Sequence, residues 1–174
     1  ISPRGKVPAL RAEQGSVNET AVILEYIEQS QKGTPLLPSD PFERAQVLAL
    51  AKEIELYIEL PGRACYPEAF FGASVPDAIR EKTKTELLQG IAALGRHGKF
   101  SPYVAGETLS VADLYFLYSV PLACGVAKKL FGIDLLAELP AAKALLERLG
   151  DNPNVQRIAA DKEAAMPAFL AMIA

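Results

Sequence analysis

No stretch restricts this chain more than Leu109-Ser110-Val111-Ala112-Asp113-Leu114 and the run behind it. The Ser110 side chain can accept from the N–H of Asp113, and Asp113 can reach back to the N–H of Ser110, which makes a capping box. Leu109 and Leu114 stand at the hydrophobic-staple positions around it. The predicted helix, Leu114 to about Gly125, is nearly all apolar. A helix that is apolar all round belongs at the centre of a domain, so other helices must enclose it.

Those helices are legible on both sides. Asp40-Pro41-Phe42-Glu43 predicts a start, with Asp40 as N-cap, Pro41 at the first position and Glu43 completing a second box. Ala45, Leu48, Ala51, Ile54 and Ile58 then recur at helical spacing. Pro61-Gly62 is expected to kink or stop this helix, because proline removes a ladder bond. Ser74-Val75-Pro76-Asp77 predicts another start by the same capping logic, for a helix to about Gly95 whose face carries Ile79, Leu87, Ile91 and Leu94. Three more follow: Pro140–Leu149, Pro153 to about Lys162, and a short tail from Pro167.

The beginning of the chain differs in kind. Lys6-Val7-Pro8-Ala9-Leu10 reads as the start of an edge strand, because proline cannot donate to a ladder and sits at strand starts. Glu13-Gln14-Gly15-Ser16 is a turn to a second short strand. Asn18 is expected to cap a helix from Glu19 to about Gln31, with Val22, Ile23, Tyr26 and Ile27 on its apolar face. Gly33 and the proline-rich Thr34–Ser39 then mark a boundary. The expected organisation is a small α/β unit over 1–32, a linker over 33–40 and an all-helical unit over 41–174. The hairpin brings an exposed backbone edge next to a helix N-terminus, which collects anions. That pairing suits a small peptide carrying a carboxylate.

Bulk properties narrow the function. A net charge of −3 over 174 residues argues against nucleic acid and against an anionic membrane surface. No signal-peptide pattern opens the chain, and no apolar run is expected to reach the roughly 20 residues that span a bilayer. Two cysteines, Cys65 and Cys124, have no disulfide or zinc spacing, which fits a reducing cytoplasm. With a single histidine, His97, no metal site is expected.

Arg4-Gly5-Lys6-Val7-Pro8-Ala9-Leu10 followed by Asn18-Glu19-Thr20-Ala21-Val22-Ile23-Leu24-Glu25-Tyr26-Ile27 resembles the second half of the glutathione-binding domain of cytosolic glutathione transferases. The later Gly106-Glu107-Thr108-Leu109-Ser110-Val111-Ala112-Asp113 is similar to the buried capping box of that family's helical domain. The resemblance covers essentially the whole chain. It implies a mostly α fold: the C-terminal part of a thioredoxin-like α/β domain (β-hairpin plus helix), then an all-α bundle.

It also implies a transferase that joins the thiolate of glutathione, its co-substrate, to a small hydrophobic electrophile, acting as a cytoplasmic homodimer. In the family, Glu19 would take the ammonium of the γ-glutamyl group, and Thr20 with the helix N-terminus would take its carboxylate. Read locally, both residues equally suit ordinary helix capping. Val7 would pair through its backbone with the cysteinyl part, beside a cis Pro8, although trans is the default before proline. Lys6 would reach the glycyl carboxylate, with Arg4 a weaker candidate. The catalytic tyrosine, serine or cysteine is expected near the end of a first strand that has no counterpart in this sequence, so it stays unassigned.

Tyr57, Arg63, Cys65 and Tyr66, with Phe70, are the candidate walls of an electrophile pocket; packing in the helical core explains the same aromatics. Cys124 is expected as a core cysteine, His97 as an exposed cation at a helix end, and Asp113 as a capping residue. A non-catalytic ligand- or protein-binding module and a glutathione-dependent thiol reductase remain as alternatives.

Overall fold

A computed structural model describes residues 2–30 and 33–173. In order these form strands β1 (Ala9–Ala12) and β2 (Gly15–Asn18), then helices α1 (Thr20–Ser30) and α2 (Pro41–Ile54). A π-helical turn (Glu55–Glu59) joins α2 to α3 (Leu60–Arg63). Next come α4 (Tyr66–Phe71), α5 (Asp77–His97), α6 (Val111–Phe131), α7 (Pro140–Gly150) and α8 (Pro153–Ile173). The fold is mostly helical, with one two-stranded antiparallel sheet among the described residues. The predicted helix end at Gln31 and domain end at residue 32 lie outside the described residues, as do Ile1 and Ala174.

Helix α6 is the axis. Asp113 is completely buried. Its Oδ2 accepts from the Ser110 N–H (2.7 Å) and Oγ (2.9 Å), and its Oδ1 from the Val104 N–H (2.8 Å). The reciprocal bond from the Asp113 N–H to the Ser110 side chain completes the predicted box. Burial pushes the Asp113 carboxyl up while these hydrogen bonds pull it down. Phe116, Val120, Ala123 and Val126 are fully buried against α2, the π turn and α5. In length and composition α6 also passes as a membrane span, contrary to the sequence expectation, but this face is a protein core.

The helix runs past its predicted end. Gly125 sits against the Phe70 ring, where a Cβ would come within 3.2 Å, and α6 stops at Gly132, whose φ of +68° allows the terminating turn. Full burial of α6 is corrected too: Tyr118 is 52% exposed and leaves one stripe of the helix open.

Asp40 caps α2 as predicted, its Oδ1 accepting from the N–H groups of Phe42 (3.0 Å) and Glu43 (2.9 Å). Pro61 does not end the helix. Lacking an N–H, it cannot bond the carbonyl of Tyr57 four residues back. The π turn absorbs this: the Leu60 N–H reaches the Glu55 carbonyl, five residues back, and the Tyr57 carbonyl turns toward Gly90 of α5. At α5 the cap position is Pro76, with no side-chain cap, so Ser74 does not play the expected part. Helix α8 is one piece rather than two. Its Pro167 costs the carbonyl of Glu163 a bond on an exposed face, where water substitutes.

Residues 33–40 are held at both sides. The N–H groups of Leu36 and Leu37 donate to Glu28 Oε1 of α1 (2.9 and 3.0 Å), and the Val111 N–H of α6 donates to the Leu36 carbonyl (3.0 Å). Arg44 of α2 pairs with Glu25 of α1 at 2.6 Å and holds its carboxyl below the usual range. Of the predicted apolar face of α1, only Ile23 is buried; Val22, Tyr26 and Ile27 remain exposed among the described residues.

Candidate functional site

The hairpin pairs Ala9 with Asn18 and Ala12 with Gly15, so only Glu13 and Gln14 form the turn. Asn18 belongs to β2 rather than to the cap. Glu19 takes the cap place, its carbonyl accepting the Ile23 N–H at 2.9 Å, with φ at +70°. A glutamate in the left-handed region is strained, and such strain persists where the surroundings demand it, often at binding sites. Ahead of β1 the chain turns on Gly5, and Ser2 Oγ accepts from the Lys6 N–H at 3.0 Å. The Val7–Pro8 peptide is cis, and Val7 is 91% exposed.

This corner forms one wall of a cavity of about 810 Å³, within the range of small-ligand sites. Lys6, Val7, Pro8, Glu19, Thr20 and Arg4 all line it. The opposite wall comes from the helical part of the chain. Lys52, Glu55, Glu59 and Arg63 line it from α2, the π turn and α3. Leu114, Tyr115, Tyr118 and Ser119 line it from α6, where Tyr118 is exposed while Tyr115 and Ser119 are buried in the wall. A wider hollow of about 1910 Å³, which shares Leu114 and Tyr118 with this cavity, holds none of the predicted site residues.

Charges on the helical wall are paired. Lys52 binds Glu55 at 2.6 Å, Arg63 binds Glu59, and Ser119 Oγ donates to Glu59 Oε2 at 2.8 Å. Tyr115 is 8% exposed, and its hydroxyl has no hydrogen-bond partner among the described residues. Burial, then the charges of Glu55 and Glu59, push this phenol up to about 12.

The expected electrophile wall is brought together only in part. Arg63 lines the cavity. Tyr57 points its side chain to solvent at 58% exposure, and Cys65 is wholly buried in the core. Tyr66 stacks edge-on to Phe70 (centroids 5.3 Å apart) outside the lining, its hydroxyl pushed up by burial and by Glu59. Cys124 does not line the cavity either, and His97 Nδ1 pairs with Glu53 at 3.0 Å on the surface. Among the described residues no cluster of three metal-ligating side chains exists.

Sequence reasoning missed Glu55, Glu59, Tyr115, Tyr118 and Ser119. A signal was present: Tyr115, Tyr118 and Ser119 recur at i, i+3 and i+4, a polar-tipped stripe on an otherwise apolar helix.

Comparison with known proteins decides the family. Over 173 residues the chain is 61% identical to a glutathione S-transferase of Pseudomonas putida, covering 99% of this chain and 79% of that protein. The chain belongs to the glutathione S-transferase family. Residues 1–35 match the family's N-terminal domain. A glutathione S-transferase of Arabidopsis thaliana is 28% identical over 171 residues, covering 96% of this chain and 72% of that one. The solved maleylacetoacetate isomerase of Methylobacterium extorquens, with bound malonate and glutathione, is 26% identical. It superposes with a TM-score of 0.65, covering 89% of this chain and 73% of the other. In this glutathione transferase, then, the cis-proline corner and the α6 stripe face each other across one cavity.

Proposed function

We propose that this glutathione transferase binds glutathione in the 810 Å³ cavity and joins its thiolate to a small hydrophobic electrophile held against α6. The supporting observation is convergence. A carboxylate (Glu19), a helix N-terminus with a hydroxyl (Thr20), an exposed backbone edge (Val7) and an ammonium (Lys6) line one cavity. A zwitterionic peptide needs that set. Glu19 takes the γ-glutamyl ammonium, and Thr20 with the first N–H groups of α1 takes the adjacent carboxylate. Val7 offers its N–H and C=O to the cysteinyl residue beside Pro8, and Lys6 meets the glycyl carboxylate. Leu114 and the Tyr118 ring supply apolar contact for the electrophile.

The same reading divides the chain into 1–32, 33–40 and 41–174, with the segment clamped by Glu28 and Val111 as its joint. It also makes the protein a cytoplasmic homodimer, which the exposed apolar residues Phe42, Leu56, Tyr57 and Leu60 support. Light scattering on the purified protein checks the dimer.

Titration calorimetry with glutathione tests the site, with Glu19→Ala and Thr20→Ala alongside. Loss of about 1.5 kcal/mol or more in either variant, the lower value of a hydrogen bond to a charged group, is the expected result. Absence of binding by the native protein sinks the proposal.

A further inference from the structure

Leu36 is held by both walls of the cavity at once. Its N–H donates to Glu28 Oε1 of α1 at 2.9 Å. Its carbonyl accepts at 3.0 Å from the N–H of Val111, the first residue of α6. The Leu37 N–H donates to the same Glu28 oxygen at 3.0 Å, and Leu37 itself is buried. Glu28 stands on the face of α1 that meets the cavity. Ala21, Leu24, Glu25 and Glu28 recur at i, i+3, i+4 and i+7, and the first two line the cavity. The last two hold the helical body: Glu25 pairs with Arg44 of α2 at 2.6 Å, and Glu28 takes the N–H groups of Leu36 and Leu37. Apolar packing adds Leu24, half-buried against the core, while Val22, Tyr26 and Ile27 are exposed. Thr20, at the cavity end of α1, lies about 12 Å along the helix from this anchor, at 1.5 Å per residue.

Resting on the glutathione site proposed above, we infer that Glu28 is a positioning residue for the cavity: through Leu36 it fixes how far the α1 wall stands from the α6 wall. The two walls serve different parts of a ligand. Glutathione itself meets the hairpin and the start of α1, at Lys6, Val7, Glu19 and Thr20. A substituent on its sulfur leaves that wall and crosses to Leu114 and Tyr118 of α6. A ligand confined to one wall is indifferent to the spacing, and a ligand that spans both requires it. A carboxylate oxygen makes both bonds from residues 36 and 37 charge-assisted, which suits a fixed spacer. Without that oxygen the two N–H groups lose their acceptor, and α1 is left with the Arg44 pair and Leu24. A displacement of about 1 Å, set by a residue far from the chemistry, is enough to lower function many-fold.

The test titrates glutathione and S-hexylglutathione by calorimetry into the native protein, Glu28→Ala, Glu28→Gln and Glu28→Asp, with a melting curve for each. The native protein is expected to bind S-hexylglutathione at least tenfold more tightly, because the alkyl chain is buried on the second wall. Glu28→Ala is expected to cut that ratio at least fivefold while glutathione affinity stays within twofold. Glu28→Gln keeps an acceptor oxygen and is expected to hold the ratio within twofold of native. Should Glu28→Ala not fold, Glu28→Asp carries the test: one methylene too short for both N–H groups, it is expected to cut the ratio at least threefold. An unchanged ratio in folded Glu28→Ala overturns the inference, as do equal losses on both ligands or a Glu28→Gln that falls as far as Glu28→Ala. So does a hexyl chain that adds nothing in the native protein. Unfolding of both Glu28→Ala and Glu28→Asp makes Glu28 a structural residue and overturns it too. In all of these cases the glutathione site stands. A native protein that binds neither ligand overturns the site reading itself.

Discussion

The backbone carbonyl of Tyr57 faces Gly90 so closely that a Cβ on Gly90 would lie 2.2 Å from the oxygen. The π turn directs this carbonyl outward because Pro61 has no N–H to give it. Helix α5 leans into the space, with Ile58 also at its surface. Only a residue without a side chain permits that approach. Gly90→Ala is expected to destabilise the protein by about 3 kcal/mol, the upper range for overpacking, because the obstruction is backbone. Urea denaturation measures this; a loss below about 1 kcal/mol would mean the two helices part freely.

Asp113 ties the start of α6 to the loop at Val104 through hydrogen bonds at 2.7–2.9 Å, with no exposed surface. Asp113→Ala leaves the N–H groups of Ser110 and Val104 buried without acceptors. The expected cost is about 3 kcal/mol or more, and Asp113→Asn, which keeps one acceptor, should lose less. The order of the two denaturation midpoints is the informative result.

Glu19 holds φ at +70° beside the cavity. Glycine takes that conformation without the penalty of about 1–2 kcal/mol that a side chain brings, partly offset by its freer unfolded chain. Glu19→Gly is therefore expected to raise the melting temperature slightly while weakening glutathione binding at least tenfold. A variant that loses both stability and binding would show that the strain is not local to Glu19.

Alkaline pH should unfold the protein through groups that the fold keeps neutral. Burial, and then the charge of Asp134, push the Cys124 thiol from 9.0 to about 11. Tyr115 moves from 10.0 to about 12. Both native values are raised, so the folded state binds these protons more tightly than the unfolded state. Their contribution is complete below about pH 9 and is lost as pH climbs through 11 and 12. Urea midpoints at pH 8, 10 and 11 should fall in that order. With Cys65 buried and the partly buried Cys124 kept as a thiol, a disulfide reagent at pH 8 is expected to label neither rapidly until denaturant is added.

Local chemistry is what could be read from the residues alone. The Ser110–Asp113 box and the Asp40 cap depend on neighbours within a few positions, and the gathering of Lys6, Val7, Glu19 and Thr20 at one corner depends on the one short hairpin that pairs Ala9 with Asn18. Such contacts survive whatever the rest of the chain does. Facing directions past Ile54 do not. A π turn holds more residues than an α turn, so every side chain after it is rotated from the face a regular 3.6 spacing predicts. That slip accompanies the turn of Tyr57 to solvent and Cys65 into the core, while Glu55, Glu59 and Arg63 meet the cavity. The open stripe of α6 has the same kind of cause. Tyr115 and Ser119 are buried as an apolar helix predicts, and only the separation between α6 and the hairpin leaves Tyr118 exposed at a cavity that all three line. Periodicity sees one element at a time; the gap between two elements is set by packing across the whole molecule.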